Sequence, residues 1–341
     1  SMYAAYVVGG VTDALFLPFL LLAVWRWDRY GALDERSPAR WLSPIALGLA
    51  MSVKQTPWFA LPFLLIGVFY EARARDGRPF KLALRYLATA LGTILVINAP
   101  FIAASPGAWL RDVTLPIRSA MVPAGQGFVN LALFERVGGV IHYYVFAGIL
   151  ALVAALIGFL LYYPRLKRAW VPLMAVVFFW PTRSFASYFI DLVPVAVLAA
   201  VSVTTAPRVR SVRLRAYSWI LATCTLLFVV VLALAVTSQS PLRLKIISLR
   251  STGQVRTVDE IRVLVTNDSD TALRPHFSVM DDGYLTTFWY PFHRTTLTAS
   301  SIPLIPAHTS RVISLRAPNS QSMPSIDGGF VLEAFTAGPS S

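Results

Sequence analysis

Two short apolar stretches of the chain each turn on a basic residue. The first turn, Lys54-Gln55-Thr56-Pro57, separates the apolar segments 43–53 and 57–70. Charged groups at membrane depth are costly, so they are candidates for function. Lys54, with Gln55 beside it, could bind a phosphate near the lipid headgroups. Alternatively, Lys54 extends towards water or pairs with a carboxylate such as Asp13.

The second turn, Pro181-Thr182-Arg183, separates the apolar segments 169–181 and 184–204. A guanidinium can bind a phosphate or diphosphate through two parallel hydrogen bonds. The other interpretation of Arg183 is a capping or interface arginine. Tyr188 follows closely and could donate to the same ligand, although a belt of aromatic residues at the membrane surface explains it equally well.

Further polar residues are expected at the same surface. Asp13 lies near the outer end of the first apolar segment, where it could pair with Lys54 or Arg183 or contact a sugar. His142 begins a later apolar segment at the outer surface. A lone histidine is more often a structural group than a ligand, so the structural interpretation of His142 is favoured.

Residues 104–139 are predicted to form an external loop. Its middle reads as a short amphipathic helix on the membrane, with Trp109 and Leu110 dipping into the lipid. Arg111, Asp112 and Arg118 would then face the water or a substrate cleft.

Trp289 and Tyr290 are the candidate contacts for carbohydrate in the last third of the chain. They belong to the sequence Trp289-Tyr290-Pro291-Phe292-His293. Adjacent aromatic rings can form a platform on which a sugar stacks. We favour the alternative, that these aromatic side chains fill the core of the domain.

Composition identifies the elements that must position these residues. The 341 residues are 56% hydrophobic, with a mean hydropathy of +0.61. The apolar residues concentrate in 4–238, whereas 239–341 resemble an ordinary soluble domain. We therefore predict a transmembrane helical domain over 1–238 and an extracytoplasmic β domain over 239–341.

The apolar segments are too uneven to be uniform membrane spans. A full span needs about 20 residues. A helical hairpin through each of the two short turns resolves this and gives eight helical segments in a polytopic bundle. These predicted segments cover residues 4–25, 43–53, 57–70, 84–103, 140–162, 169–181, 184–204 and 216–238.

The charge of the chain supports the membrane interpretation and excludes nucleic acid as a partner. The formal net charge is +13, and 16 of the 30 Lys and Arg residues fall in four clusters between apolar segments. Such clusters mark cytoplasmic loops. The predicted hairpin turns and the β domain then lie outside the cytoplasm. The clusters run over Arg26 to Arg40, Arg73 to Arg85, Arg165 to Arg168, and Arg208 to Arg215.

The region after residue 238 reads as a small antiparallel sandwich. Residues 261–266 alternate as a half-buried strand does, and Asn267 to Asp270 is typical of a turn. Several short strands at this spacing favour a sandwich-like fold. The other predicted strands are Phe277 to Met280, Leu285 to Tyr290, Arg311 to Leu315, and Phe330 to Phe335.

Four stretches in residues 4–204 resemble bacterial GT-C glycosyltransferases, which are multispanning enzymes that use polyprenyl-phosphate sugars. The stretches are Gly-Gly-Val-Thr-Asp13-Ala-Leu, Ser-Val-Lys54-Gln-Thr-Pro57, Asn98-Ala-Pro-Phe101 before Ser-Pro106-Gly-Ala-Trp109, and Arg183-Ser-Phe-Ala-Ser-Tyr188-Phe. The family has short helices, an external amphipathic helix and often an external β domain.

The resemblance implies transfer of a sugar, often mannose or arabinofuranose, from a lipid phosphate to an external glycan or lipid acceptor. Lys54, Gln55, Arg183 and Tyr188 would bind the donor phosphate. The resemblance is compatible with a divalent metal but supplies no ligand for one. A bacterial cytoplasmic membrane is the expected location.

The family's catalytic aspartate lies in the first external loop, for which this sequence offers no match. The first segment would also start outside the cytoplasm. We therefore expect these residues to be the C-terminal part of a longer protein, whose upstream part supplies the catalytic residue.

Two other functions are open. A membrane scaffold would use the β domain to bind an envelope glycan or a protein, and residues 239–341 alone should then bind that partner. A transporter or flippase would need a polar pathway across the bilayer. The polar groups cluster instead at the predicted outer ends, which favours chemistry at the surface.

Overall fold

Helices account for most of the described residues up to Thr237, and strands for most of the described residues after it. The computed structural model describes residues 13–32, 39–75, 78–118, 124–125, 127–133, 135, 137–181, 183–203, 217–252, 257–281, 284–292, 302–317 and 324–336.

The described helices include long and short ones. Three of the short ones are 3-10 helices, which cover Trp27–Ala32, Thr56–Phe59 and Val176–Phe179. The α-helices are α1 (Asp13–Val24), α2 (Ala39–Val53), α3 (Ala60–Ala74), α4 (Pro79–Ala104), α5 (Pro106–Arg118), α6 (Val129–Leu133), α7 (Ile141–Leu161), α8 (Tyr163–Leu166), α9 (Trp170–Ala175), α10 (Ala186–Val201) and α11 (Ser218–Thr237).

Three of these helices, α4, α7 and α11, are long and apolar enough to cross a membrane. They contain 26, 21 and 20 residues, and a helix rises about 1.5 Å per residue against a hydrocarbon layer of about 30 Å. Membrane-spanning helices are thus supported by length and composition. Each of the eight predicted segments contains a helix, but the others are shorter than a full span. Their entry into the membrane stays a prediction.

Aromatic rings form the centre of the helical core. The Trp27 ring meets the rings of Tyr163 and Trp170 edge-on, with centroid distances of 6.4 and 6.2 Å. Its indole N–H donates to the carbonyl oxygen of Ala199 at 3.2 Å. A methyl group on Gly67 would come within 2.3 Å of the Trp27 ring. The close approach of α3 to Trp27 therefore requires glycine at position 67.

The two-residue strands β1 (Ala124–Gly125) and β2 (Arg183–Ser184) lie within the helical part of the chain. The strands described after Thr237 are β3 (Leu242–Thr252), β4 (Thr257–Asn267), β5 (Pro275–Asp281), β6 (Tyr284–Pro291), β7 (Ser310–Arg316) and β8 (Val331–Thr336). These six form one antiparallel sheet in the order β3-β4-β7-β6-β5-β8. The sheet curves into a half-barrel, and its edge strands β3 and β8 approach each other.

The predicted β domain is confirmed as an antiparallel sheet, but the sandwich-like detail is replaced by a single curved sheet. The five predicted strands correspond to β4 through β8. The side chains of the inner face, including Val263, Phe277 and Trp289, pack into one core. One curved sheet can enclose a core by folding its two halves towards each other, so no second sheet is needed.

The contacts divide the chain into two units that differ from the predicted division at residue 238. The helical unit comprises the described residues of Ser1–Thr114, Gly125–Phe128 and Tyr143–Ala233. The sheet unit comprises those of Leu115–Ala124, Val129–His142 and Leu234–Ser341. Parts of the predicted external loop and the last turn of α11 therefore belong with the sheet.

Candidate functional site

Lys54 lies at the break between α2 and the short helix that leads into α3. Pro57 occupies the start of that short helix, where a missing N–H costs nothing. The Trp58 indole N–H donates across the break to the carbonyl oxygen of Met51 at 2.8 Å. Gln55 is half-buried in the same turn, and its carbonyl oxygen accepts the Trp58 backbone N–H at 2.9 Å. The turn is therefore a fixed structure that holds Lys54 in place.

The ammonium of Lys54 lies over the ring of Tyr188. The distance from Nζ to the ring centroid is 4.6 Å, within the range of a cation–π interaction. Lys54 follows α2 and Tyr188 belongs to α10. The structure therefore brings together residues from the two predicted hairpins, which are far apart in sequence.

Aromatic side chains and one carboxylate surround this contact. The Tyr188 ring meets Phe178 at 6.0 Å and Phe185 at 5.7 Å between centroids. Asp191, one turn further along α10, is buried, and its carboxylate acts electrostatically on Lys54. The result is a cation beside aromatic rings and a carboxylate. The apolar rings strengthen the electrostatic interactions of the ammonium, whereas the Asp191 carboxylate competes with an incoming anion for it.

The backbone around Arg183 packs tightly against residues 127 and 128. The backbone N–H of Phe128 donates to the carbonyl oxygen of Phe179 at 2.7 Å. A methyl group on Gly127 would lie 2.6 Å from Cβ of the buried Ser184. The backbone of Arg183 lies in β2, but its side chain is outside the described part of the structure. Its participation in the site stays a prediction.

Asp13 is placed only as the first residue of α1, because its side chain is also outside the described part. Asp191 was missed by the reasoning from sequence. The available signal was simple: Asp191 is the sole acidic residue of the apolar segment 184–204. A lone carboxylate in such a segment is a candidate for a polar function.

The predicted amphipathic helix is present as α5. The indole N–H of Trp109 donates to Oδ1 of Asn98 at 3.1 Å, which ties α5 back to α4. Arg111 and Asp112 are both exposed, and their closest charged atoms are 3.4 Å apart. The side chain of Arg118 is not among those described.

His142 is exposed in the first turn of α7 and belongs to the sheet unit. Its role as a substrate contact stays a prediction.

Trp289 and Tyr290 point to opposite faces of β6, as adjacent residues of a strand do. Trp289 is buried in the core, whereas 51% of the Tyr290 side chain is exposed. Both residues line a cavity of about 190 Å³, together with Pro275 and His276. Burial lowers the pKa of His276. Two rings on opposite faces do not form one flat stacking platform.

A second charged cluster, at the other end of α3, was not predicted. Glu71 is fully buried, and Oε1 accepts the Tyr163 hydroxyl at 2.8 Å. Its carboxylate also lies 3.4 Å from Arg75 Nη1 and 3.6 Å from Lys167 Nζ. The spacing of Glu71 and Arg75, four residues apart on a helix, was the available signal. These interactions link the end of α3 to Tyr163 in α8 and to Lys167 just after it.

Among the described residues, no group of three or more His, Cys, Asp or Glu side chains could hold a metal ion. No protein-family model, curated protein or solved structure matches the chain.

Proposed function

We propose that the chain is part of an integral membrane glycosyltransferase. The enzyme would transfer a sugar from a polyprenyl-phosphate donor to a cell-envelope acceptor outside the cytoplasm. The observation that carries the proposal is the contact between Lys54 and Tyr188. It joins the two short apolar hairpins at their turns, where a lipid-linked phosphate would arrive.

The chemistry of a lipid phosphate suits this place. A phosphate needs a cation, and its prenyl chain needs apolar neighbours. Lys54 offers an ammonium, and the rings of Phe178, Phe185 and Tyr188 offer apolar surface. A fixed cation in a water-poor site stabilises the negative charge that develops on a departing phosphate. In the complete enzyme, a carboxylate would act as base on the acceptor hydroxyl.

The distribution of charge supports an outward position for this site. Lys54 connects α2 and α3, whose far ends carry Arg40 in α2 and Arg73 and Arg75 around the end of α3. Basic residues concentrate on the cytoplasmic side of membrane proteins. Lys54 would then lie towards the opposite surface, where polyprenyl-phosphate sugars are used in envelope synthesis.

The first test is binding, because it does not need the catalytic residue. The full chain in detergent is titrated with polyprenyl monophosphate and, in parallel, with polyprenol, which has the same tail and no phosphate. Native mass spectrometry gives the bound fraction. We expect Lys54→Met to weaken binding of the phosphate on the order of tenfold or more, the loss of one charge-assisted contact. Polyprenol binding should not change.

Lys81→Met is the matched control, because Lys81 is an exposed lysine at the start of α4. It should bind both lipids as the unaltered chain does. Equal affinity for polyprenyl phosphate and polyprenol in the unaltered chain would contradict the proposal. So would equal losses in Lys54→Met and Lys81→Met.

The second test is transfer by the complete protein in membranes. Radiolabelled polyprenyl-phosphate mannose and arabinofuranose are supplied as donors. We expect Lys54→Ala and Arg183→Ala each to lower the rate by about two orders of magnitude, since each removes charge stabilisation of the leaving phosphate. Rates equal to the unaltered protein in both variants would overturn the assignment.

A further inference from the structure

The edge strand β3 exposes an unusual stretch of side chains. All residues from Lys245 to Ser251 are exposed. They include Ile246, Ile247 and Leu249 between the basic residues Lys245 and Arg250. Among the described strands, β3 has one hydrogen-bonded neighbour, β4, because it is the first strand of the sheet order. Its other edge forms no ladder with a described strand, although β8 approaches part of it.

A β-bulge brings the apolar residues to the surface. Ile246 pairs with Val263 and Ser248 pairs with Arg262, so Ile247 has no partner in β4. The extra residue of a bulge bends the strand and redirects side chains. Ile247 is 48% exposed as a result. A long apolar edge left in water is prone to aggregation, so a partner that covers it is expected.

The start of β3 is held at the ends of two helices that are long enough to cross a membrane. The Ser238 hydroxyl oxygen accepts the backbone N–H groups of Gly139 and Val140, each at 3.1 Å. These bonds tie the beginning of α7 to the end of α11. Leu242 follows Ser238 by four residues, so β3 begins within about 14 Å of that point. The polar layer of a bilayer is itself about 5–7 Å thick on each side.

The basic residues of β3 indicate which kind of surface would cover it. The strand contains Arg243, Lys245 and Arg250 and no acidic residue. Arg243 pairs with Asp268, and Arg250 lies opposite Glu260 of β4. Lys245 and Arg250 are both exposed. Basic residues beside exposed apolar ones match an anionic lipid surface, which offers phosphates and apolar depth together.

We propose that β3 docks on the membrane surface, with Ile246 and Ile247 inserted at the headgroup boundary and Lys245 and Arg250 bound to anionic lipid. The sheet unit would then be anchored twice, through α11 and through β3. This proposal is independent of the proposed glycosyl transfer.

The experiment uses the full chain in lipid nanodiscs. Cys224 is the single cysteine and is first replaced by serine. Ile247→Cys then carries an environment-sensitive fluorophore, and lipids with brominated chains serve as quenchers. Val312→Cys is the matched control, since Val312 is also β-branched, 45% exposed and in a strand of the same sheet. We expect strong quenching at position 247 and little at position 312.

The second measurement varies the charge of the lipid and the charge of β3. Nanodiscs of phosphatidylcholine alone are compared with nanodiscs that also contain phosphatidylglycerol. Quenching at position 247 should increase with phosphatidylglycerol. In the variant Lys245→Gln/Arg250→Gln, the docking equilibrium should weaken on the order of 25-fold, from about fivefold for each basic residue. Circular dichroism verifies that this variant keeps its sheet.

Equal quenching at positions 247 and 312 would overturn the proposal. Quenching that ignores phosphatidylglycerol and both substitutions would overturn the role of anionic lipid. Energy transfer between labelled copies in one nanodisc, without quenching by brominated lipid, would show instead that β3 pairs with a second copy, which also contradicts the proposal.

Discussion

Both units of this protein bury glutamate side chains, and Glu71 and Glu333 are compensated in different ways. Glu71 in the helical unit lies near Arg75 and Lys167 and accepts the Tyr163 hydroxyl. Glu333 in the sheet unit is buried on β8, and its Oε2 accepts the Ser278 hydroxyl at 3.3 Å. Burial raises the pKa of Glu333 to about 7, a shift that the Ser278 hydrogen bond partly opposes.

The two glutamates show two ways in which a buried carboxyl group can be stabilised. A carboxylate that is taken out of water needs either opposite charge or a proton. Glu71 is provided with opposite charge. Glu333 lies next to a neutral hydroxyl, so near neutral pH it can gain a proton instead. Glu71 should therefore contribute to folding through its ion pairs, whereas Glu333 should make the sheet unit sensitive to pH.

The largest effect is expected from Glu71→Gln. Glutamine has the size of glutamate and can still accept the Tyr163 hydroxyl. It carries no negative charge, so Arg75 and Lys167 lose the carboxylate at position 71. Breaking a buried pair of this kind costs about 3–5 kcal/mol. Unfolding of the full chain in mixed micelles, titrated with sodium dodecyl sulfate, measures the free energy.

The matched control is Glu135→Gln, because Glu135 is an exposed glutamate; it should change the free energy by less than about 0.5 kcal/mol. The double variant Glu71→Gln/Lys167→Met should lose less than the sum of the single changes, with a coupling of about 1–3 kcal/mol. Strict additivity would show that the Glu71 cluster is not an energetic unit.

A smaller effect is expected when pH is changed around Glu333. Between its ordinary pKa of 4.5 and the folded pKa of about 7, the folded sheet unit holds a proton that the unfolded chain releases. The contribution of Glu333 to stability is therefore greatest below about pH 4.5 and falls as pH rises to about 7, by about 3 kcal/mol. Hydrogen exchange of the β5 and β8 amides reports this loss.

Glu333→Gln is the sharpest comparison, because a neutral amide cannot lose a proton. At pH 8 the variant should exchange more slowly than the unaltered chain, and at pH 4.5 the two should match. Comparing them at the same pH cancels the intrinsic chemistry of exchange. Faster exchange of the variant at pH 8 would mean that the ionised carboxylate stabilises the sheet.

The smallest effect on stability is expected from Lys54→Met. A cation–π contact contributes about 0.5–2 kcal/mol, and methionine regains part of it through apolar packing on Tyr188. We expect a net change below about 1 kcal/mol in the micelle titration, together with the loss of polyprenyl-phosphate binding described above. A loss as large as that of Glu71→Gln would make Lys54 a structural residue.

The sequence predicts the elements of this protein better than their contacts. Apolar runs and breaks at Pro57 and Pro181 locate the helices because both signals are local. β3 was missed because its sequence, Leu242 to Thr252, does not alternate cleanly: a bulge at Ile247 shifts the period. Local periodicity cannot reveal such an irregularity before the partner strand is known.

The candidate site shows the same division between local and distant information. Lys54 and Tyr188 were each selected for their residue type and position, but their contact joins residues far apart in the chain. Likewise, the four-residue spacing of Glu71 and Arg75 is visible in the sequence, whereas Lys167 and Tyr163 reach Glu71 only through tertiary packing.

The link between Gly139 and the residues after α11 has a consequence for biosynthesis. Gly139 and Ser238 are 99 positions apart, and a side chain on Gly139 would overlap the backbone of Ser240 at 2.2 Å. The ribosome must finish α11 before this link can close. The residues that lead into α7 are therefore held in place only after α11 has been synthesised. In a chain stalled before Ser238, these residues would lack the hydrogen bonds to Ser238 and would be open to quality-control proteases.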